Sequence, residues 1–153
     1  MAGRLLAALK NQGRKNHPNF TFQHKLCHDF ESLIWVVVYA MMIRHRNTLA
    51  ATDQVMYAEY KETVDECWAV HSYGSVLRSQ VYMIRIGCSL DYVEITSSWF
   101  PDVREAAFFR DAMRLLRNQT QDGEPIAYET LCALFKKHVQ LAKELHDSNL
   151  VPN

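Results

Sequence analysis

His28-Asp29-Phe30-Glu31-Ser32-Leu33-Ile34-Trp35-Val36-Val37-Val38-Tyr39-Ala40-Met41-Met42-Ile43 is the stretch that decides the fold. A polar lead of His28, Asp29, Glu31 and Ser32 feeds an unbroken apolar run from Leu33 to Ile43. Carboxylates at that end match the positive pole of a helix dipole, and Asp29 is suited to accept backbone N–H bonds there as a cap. Apolar residues on nearly every side predict a buried, central helix over 28–44. At 11 residues the run is shorter than the roughly 18 to 20 needed to cross a bilayer. Arg44, His45 and Arg46 suit a helix C-terminus, and Asn47 to Asp53 reads as a turn.

Downstream, Met56, Tyr60, Val64, Cys67 and His71 recur at three- and four-residue spacing. They predict an amphipathic helix from Asp53 to about Tyr73, interrupted near Gly74 and resumed to about Ile86, with Trp68 anchoring its packing. Gly87 to Phe100 lacks helical periodicity. Asp102 and Glu105 then have capping-box spacing for a helix running to about Asn118. Its stripes are Phe109, Met113 and Leu116 beside Phe108, Ala112 and Leu115. Asp122-Gly123 marks a turn, and Pro125 opens a last helix whose buried face is Leu131, Leu134, Phe135, His138, Ala142 and Leu145. Strand signals are weak, so the class is all-α: one helical domain over 1–150 with at least four helices.

To the N-terminal side, Leu5 to Lys10 reads as a short helical piece and Asn11 to Asn19 as a loop. The first 28 residues are basic, with Arg4, Lys10, Arg14, Lys15 and Lys25 before the first acid, Asp29. Aromatic stacking partners there are limited to Phe20 and Phe22, so a solvated loop is favoured over a nucleic-acid arm. The whole chain balances 17 basic residues against 17 acidic ones, which gives no long-range pull toward nucleic acid or anionic lipid. No nucleic-acid or membrane partner is expected. The opening Met-Ala-Gly-Arg-Leu-Leu lacks a sustained apolar core, so the expected location is intracellular, cytoplasm and nucleus being indistinguishable. The triplets Asn19-Phe20-Thr21 and Asn118-Gln119-Thr120 then carry no glycosylation meaning.

Catalytic constellations are weak. Cys27, Cys67, Cys88 and Cys132 form no Cys-x-x-Cys pair and read as reduced, mostly buried thiols. His24, Cys27 and His28 do not match the spacing of a structural zinc site. Cys67 and His71 lie one helical turn apart, but on the stripe that should be core. Glu59, Glu62, Asp65 and Glu66 belong to an outward helix face and take no acid or base role.

The run from His28 to Tyr39 resembles the His-Asp-Leu-Glu-Ser-aromatic signature of the F helix in fungal-type protein kinases. Met1-Ala2-Gly3-Arg4-Leu5-Leu6 is similar to the Met-Ala-x-x-Leu-Leu segment that follows the activation loop in that family. Together the two matches cover about the first 45 residues. The resemblance implies the large, C-terminal lobe of a kinase, with Asp29 as the F-helix aspartate that holds the backbone of the catalytic loop. His28, Asp29, Glu31 and Ser32 would be structural, at the start of the central helix, and Leu33 to Ile43 the post around which the lobe packs. One departure is Arg4, where family members often carry an acid that pairs with an arginine of a later helix.

Phosphoryl transfer needs a Gly-rich loop, a strand lysine, a catalytic-loop Asp and Asn, and an Asp that holds magnesium. The sequence has no Gly-x-Gly-x-x-Gly, no Val-Ala-Ile-Lys, no His-Arg-Asp and no Asp-Phe-Gly. No catalytic, cofactor-binding or metal-binding residue is therefore assigned, and ATP with magnesium enters only if a missing N-terminal part is supplied. The expectation is a truncated kinase C-lobe, inactive alone, from a family that transfers phosphate from ATP to protein Ser or Thr. The alternative is a free-standing, pseudokinase-like interaction module. A third reading is a piece that complements a separately encoded kinase half.

Overall fold

In the computed structural model the described residues are 26–68, 73–89, 92–122 and 125–148, and among them every regular element is a helix. The elements are α1 (Leu26–Thr52), α2 (Gln54–Trp68), α3 (Tyr73–Cys88), α4 (Val93–Trp99), α5 (Val103–Asp122) and α6 (Tyr128–Ser148). The all-α expectation holds. Residues 1–25, which carry the basic segment, Arg4 and the expected Leu5–Lys10 piece, lie outside the described residues.

The helix α1 is longer than its sequence suggested at both ends. Among the described residues it opens at Leu26, so Asp29 lies inside the helix rather than at its cap. It also runs through Arg44–Arg46 and the expected turn at Asn47–Asp53, to Thr52. Thr48 and Thr52 point their hydroxyls back along the helix, donating to the carbonyls of Arg44 (3.1 Å) and Thr48 (2.9 Å). This i to i−4 bonding keeps polar side chains compatible with a helix. Leu49 meanwhile packs against the core. The bend comes at Asp53, whose N–H still donates to the Leu49 carbonyl (2.8 Å). Its carboxylate caps α2, accepting the N–H groups of Val55 (3.1 Å) and Met56 (3.0 Å).

By length and composition α1 would also suffice to cross a membrane. The 11-residue apolar run understated it, because helical residues on both flanks extend the span. One side, formed by Ile34, Trp35, Val38 and Met42, is buried against the other helices.

Gly74, near which an interruption is expected, is the second residue of α3. Residues 69–72, with His71, lie outside the described residues. A short helix, α4, occupies part of the stretch read as irregular between Gly87 and Phe100. Thr96 donates its hydroxyl to the Tyr92 carbonyl (3.0 Å) and is buried with Trp99 and Phe100. Tertiary packing of those rings, rather than any local period, holds this turn.

The start of α5 follows its sequence signal. Asp102 accepts the N–H of Arg104 at 2.9 Å, while Glu105 pairs with Arg44 of α1 instead of completing a capping box. The helix overruns the expected end near Asn118 and reaches Asp122. Similarly, α6 begins at Tyr128, after Pro125–Ala127.

The core forms where α1, α2, α3 and α5 meet. Ile34, Val38 and Met42 of α1 join Tyr60 and Val64 of α2, Met83 and Ile86 of α3, and Phe109, Met113 and Leu116 of α5. Among the described residues α3 packs most extensively on α5, and Gly87 permits their close approach: a Cβ there would lie 2.6 Å from Met113 Cβ. Trp68 anchors α2 as expected, donating Nε1–H to Met42 Sδ (3.3 Å) and meeting the rings of Trp35 and Tyr39 edge-on. Tyr60 donates its hydroxyl to the Trp99 carbonyl (2.8 Å), which ties α2 to the end of α4.

Candidate functional site

Two surfaces of α1 flank the core. The first begins at the motif His28-Asp29-Phe30-Glu31-Ser32, which the helix divides. His28 and Glu31 are buried, Asp29 is exposed, and Ser32 donates to the His28 carbonyl at 2.8 Å. Asp29, Leu33, Val36 and Ala40 recur at four-, three- and four-residue steps, so they share one stripe. That stripe is exposed: Leu33 by 45% and Val36 by 61%, with Leu26 and Tyr39 open beside it. The expectation of a helix buried all round is thus corrected. An apolar residue at every position does not supply a neighbouring helix on every side, and among the described residues the others pack against one side of α1. Leu33, Val36 and Ala40 form an uncharged strip with Asp29 at its head.

The second surface is a cleft of about 330 Å³ between α1, α5 and α6. Val37 and Met41 of α1, Phe108 of α5, and Phe135 and Val139 of α6 supply its apolar walls, and Arg44, Asp102, Arg104, Glu105 and His138 its polar ones. Arg44 Nη2 reaches Glu105 Oε1 at 2.6 Å. Burial pushes the Glu105 carboxyl above the usual carboxylate range, against the pull of the Arg44 charge. Asp102 behaves oppositely. Hydrogen bonds from the Arg104 side chain hold its carboxyl down at about 2, despite partial burial.

Behind the cleft, Asp111 of α5 gathers two residues of α6. Lys137 Nζ lies 2.6 Å and His138 Nε2 3.0 Å from its Oδ2. Partial burial alone would raise the Asp111 carboxyl, but the hydrogen bonds from Lys137 and His138 together with the lysine charge hold it below its ordinary value. The His138 ring meets Phe108 edge-on at 5.3 Å, and Phe108 meets Phe135 at 5.6 Å.

The other sequence candidates do not assemble. His24 and His71 lie outside the described residues. Cys27 and Cys67 are buried, Cys88 and Cys132 half-buried, and all four are free. Burial pushes the Cys67 thiol up to about 11, so it remains a thiol at neutral pH. Glu59, Glu62, Asp65 and Glu66 are exposed on α2, with Lys61 bridging to Asp65 at 3.0 Å. Among the described residues no group of His, Cys, Asp and Glu side chains is positioned to hold a metal ion.

Sequence reading identified Asp29 and the apolar run but missed the cleft. Asp111 and His138 are 27 residues apart, on helices whose pairing no local spacing encodes. The available signal was His138 on the same stripe as Leu131, Leu134 and Phe135, a polar ring on a core-facing side. Comparison with protein-family models, curated proteins and solved structures finds no match to this chain.

Proposed function

We propose that the chain is a non-catalytic scaffold resembling the large lobe of a fungal-type protein kinase, and that the exposed face of α1 receives a catalytic-loop-bearing polypeptide. The observation that carries this reading is the pairing of an exposed Asp29 with the apolar strip of Leu33, Val36 and Ala40. A carboxylate at the head of an apolar face is suited to accept backbone N–H bonds from a loop laid across it, while the strip buries that loop's apolar residues. The His-Asp-x-Glu-Ser order at this place is the sequence feature that supports a kinase parent. On this reading the scaffold works inside the cell, and its partner supplies all groups that bind nucleotide.

The residues of this chain do not fit a magnesium-ATP site. The sequence contains none of the phosphate-cradling or metal-holding motifs, so no step of phosphoryl transfer is assigned to it. Saturating magnesium-ATP should leave the thermal midpoint of the isolated chain unchanged, because only a bound ligand stabilises a folded state. A reproducible, dose-dependent rise would defeat the reading.

A further inference from the structure

The outward faces of α2 and α3 carry opposite charge. On α2, Glu59, Glu62 and Glu66 recur at three- and four-residue steps and share one exposed stripe. On α3, Arg78 and Arg85 lie two turns apart on an exposed stripe, with Val81 (58% exposed) and Tyr82 (52% exposed) between them. No acidic residue occurs in α3. Neither set is neutralised within the chain. Lys61 pairs with Asp65, whereas Glu59, Glu62, Glu66, Arg78 and Arg85 have no ion-pair partner among the described residues.

The packing of the two helices puts these charges in register. α2 ends at Trp68, α3 begins at Tyr73, and the two pack side by side, the arrangement of an antiparallel helical hairpin. Ser79 donates its hydroxyl to the Glu66 carbonyl at 3.4 Å, which sets Arg78 level with Glu66. Tyr60 and Tyr82 both meet Trp99, one through its hydroxyl and the other edge-on at 6.3 Å, so the middles of the helices are level too. Glu59 lies seven residues before Glu66, and Arg85 seven after Arg78, an axial step of about 10.5 Å on each helix. Glu59 is therefore level with Arg85.

We propose that the outer faces of α2 and α3 form a twofold interface between two copies of this chain. A twofold axis parallel to the two helices and between them lays α2 of one copy on α3 of the other, antiparallel and at the same height. Glu66 then faces Arg78 of the second copy, and Glu59 faces Arg85 of the second copy. Symmetry repeats both contacts, and they flank Val81 and Tyr82, which the second copy covers. The four helices in contact alternate in charge, as a bundle of oppositely charged neighbours. Setting α2 on α2 would instead oppose carboxylates, so charge selects this arrangement. The proposal is independent of the kinase-like reading, since it uses neither Asp29 nor the exposed strip of α1.

The test is sedimentation equilibrium of the full chain, loaded from about 10 to about 200 μM to bracket weak association. The parent should fit a single monomer–dimer equilibrium. Raising the salt to about 1 M shortens the screening length to about 3 Å and should weaken the dimer about tenfold. Glu59→Arg sets like charges against Arg85 of the second copy, and Arg85→Glu does the same against Glu59. Each variant alone should self-associate at least about tenfold more weakly than the parent, because the twofold doubles the repulsion. An equimolar mixture of the two variants should recover a dimer, now a heterodimer, since each reversed charge meets its reversed partner. Misfolded variants could not produce that recovery. A parent that stays monomeric, assembly that grows past the dimer, single variants that associate like the parent, or a mixture no stronger than its components would overturn the proposal.

Discussion

Phe109→Ala is expected to destabilise the protein by about 3–5 kcal/mol, the cost of removing a fully buried aromatic side chain whose site cannot collapse. Phe109 is 0% exposed and joins the seam of α3 and α5 to the rings of α4 and its exit. Its ring centroid is 4.7 Å from that of Phe100 and 6.1 Å from that of Trp99. Those neighbours are themselves fixed. Trp99 gives its carbonyl to the Tyr60 hydroxyl, and Phe100 donates its N–H to the Thr96 carbonyl at 2.9 Å. The surroundings therefore relax little into the space left behind. A domain of this size has about 5–15 kcal/mol in total, so the loss is a large fraction of it. Urea titration followed by far-ultraviolet circular dichroism should show a lower midpoint with an unchanged slope. A loss below about 1 kcal/mol would mean that this seam is not the core.

Gly87→Ala is the second large effect, and its sign is the informative part. Replacing glycine by alanine inside a helix ordinarily stabilises by up to about 1 kcal/mol, and less near the end of the helix, where Gly87 stands. Here the added methyl would lie 2.5 Å from Met113 Cγ and 2.6 Å from Met113 Cβ. A Cβ is fixed to its backbone and cannot rotate away, so α3 and α5 must separate along their most extensive contact. Overpacking of this kind costs about 1–3 kcal/mol, and the net expectation is destabilisation by about 2 kcal/mol. Thermal unfolding of the variant should begin at lower temperature than that of the parent. A midpoint equal to or above the parent's would show that the two helices are not in close approach at Gly87.

These two positions also show what the sequence could and could not convey. Phe109, Met113 and Leu116 fell on one stripe by period alone, and all three are buried. Gly87 was read instead as part of an irregular stretch, because a glycine that lets two helices touch looks locally like a helix breaker. The end of α1 was misplaced for a related reason. Asn47, Thr48, Thr52 and Asp53 are turn-forming in isolation, yet Thr48 and Thr52 satisfy their hydroxyls within the helix and Leu49 is drawn into the core. Long-range packing decided both cases.

The candidate surfaces divide in the same way. Asp29 and the apolar run after it were legible, since they are contiguous. Which side of that run lacks a neighbour was not, because hydrophobicity records a preference for burial and not the presence of a partner. Asp102 announced its role through a local cap. Asp111 and His138 had no such signal, and their meeting depends on how α5 and α6 pair.

The most direct measurement of the central claim is co-purification of this chain with a polypeptide carrying the nucleotide-binding lobe and catalytic loop of a fungal-type kinase. The parent chain should form a one-to-one complex in size-exclusion chromatography with light scattering. Val36→Asp places a charge in the middle of the exposed strip of α1 and should abolish that complex. Because Val36 is already 61% exposed, the variant alone should keep the parent's thermal midpoint. Absence of a complex with the parent chain, or a complex that survives Val36→Asp undiminished, would contradict a docking role for this face.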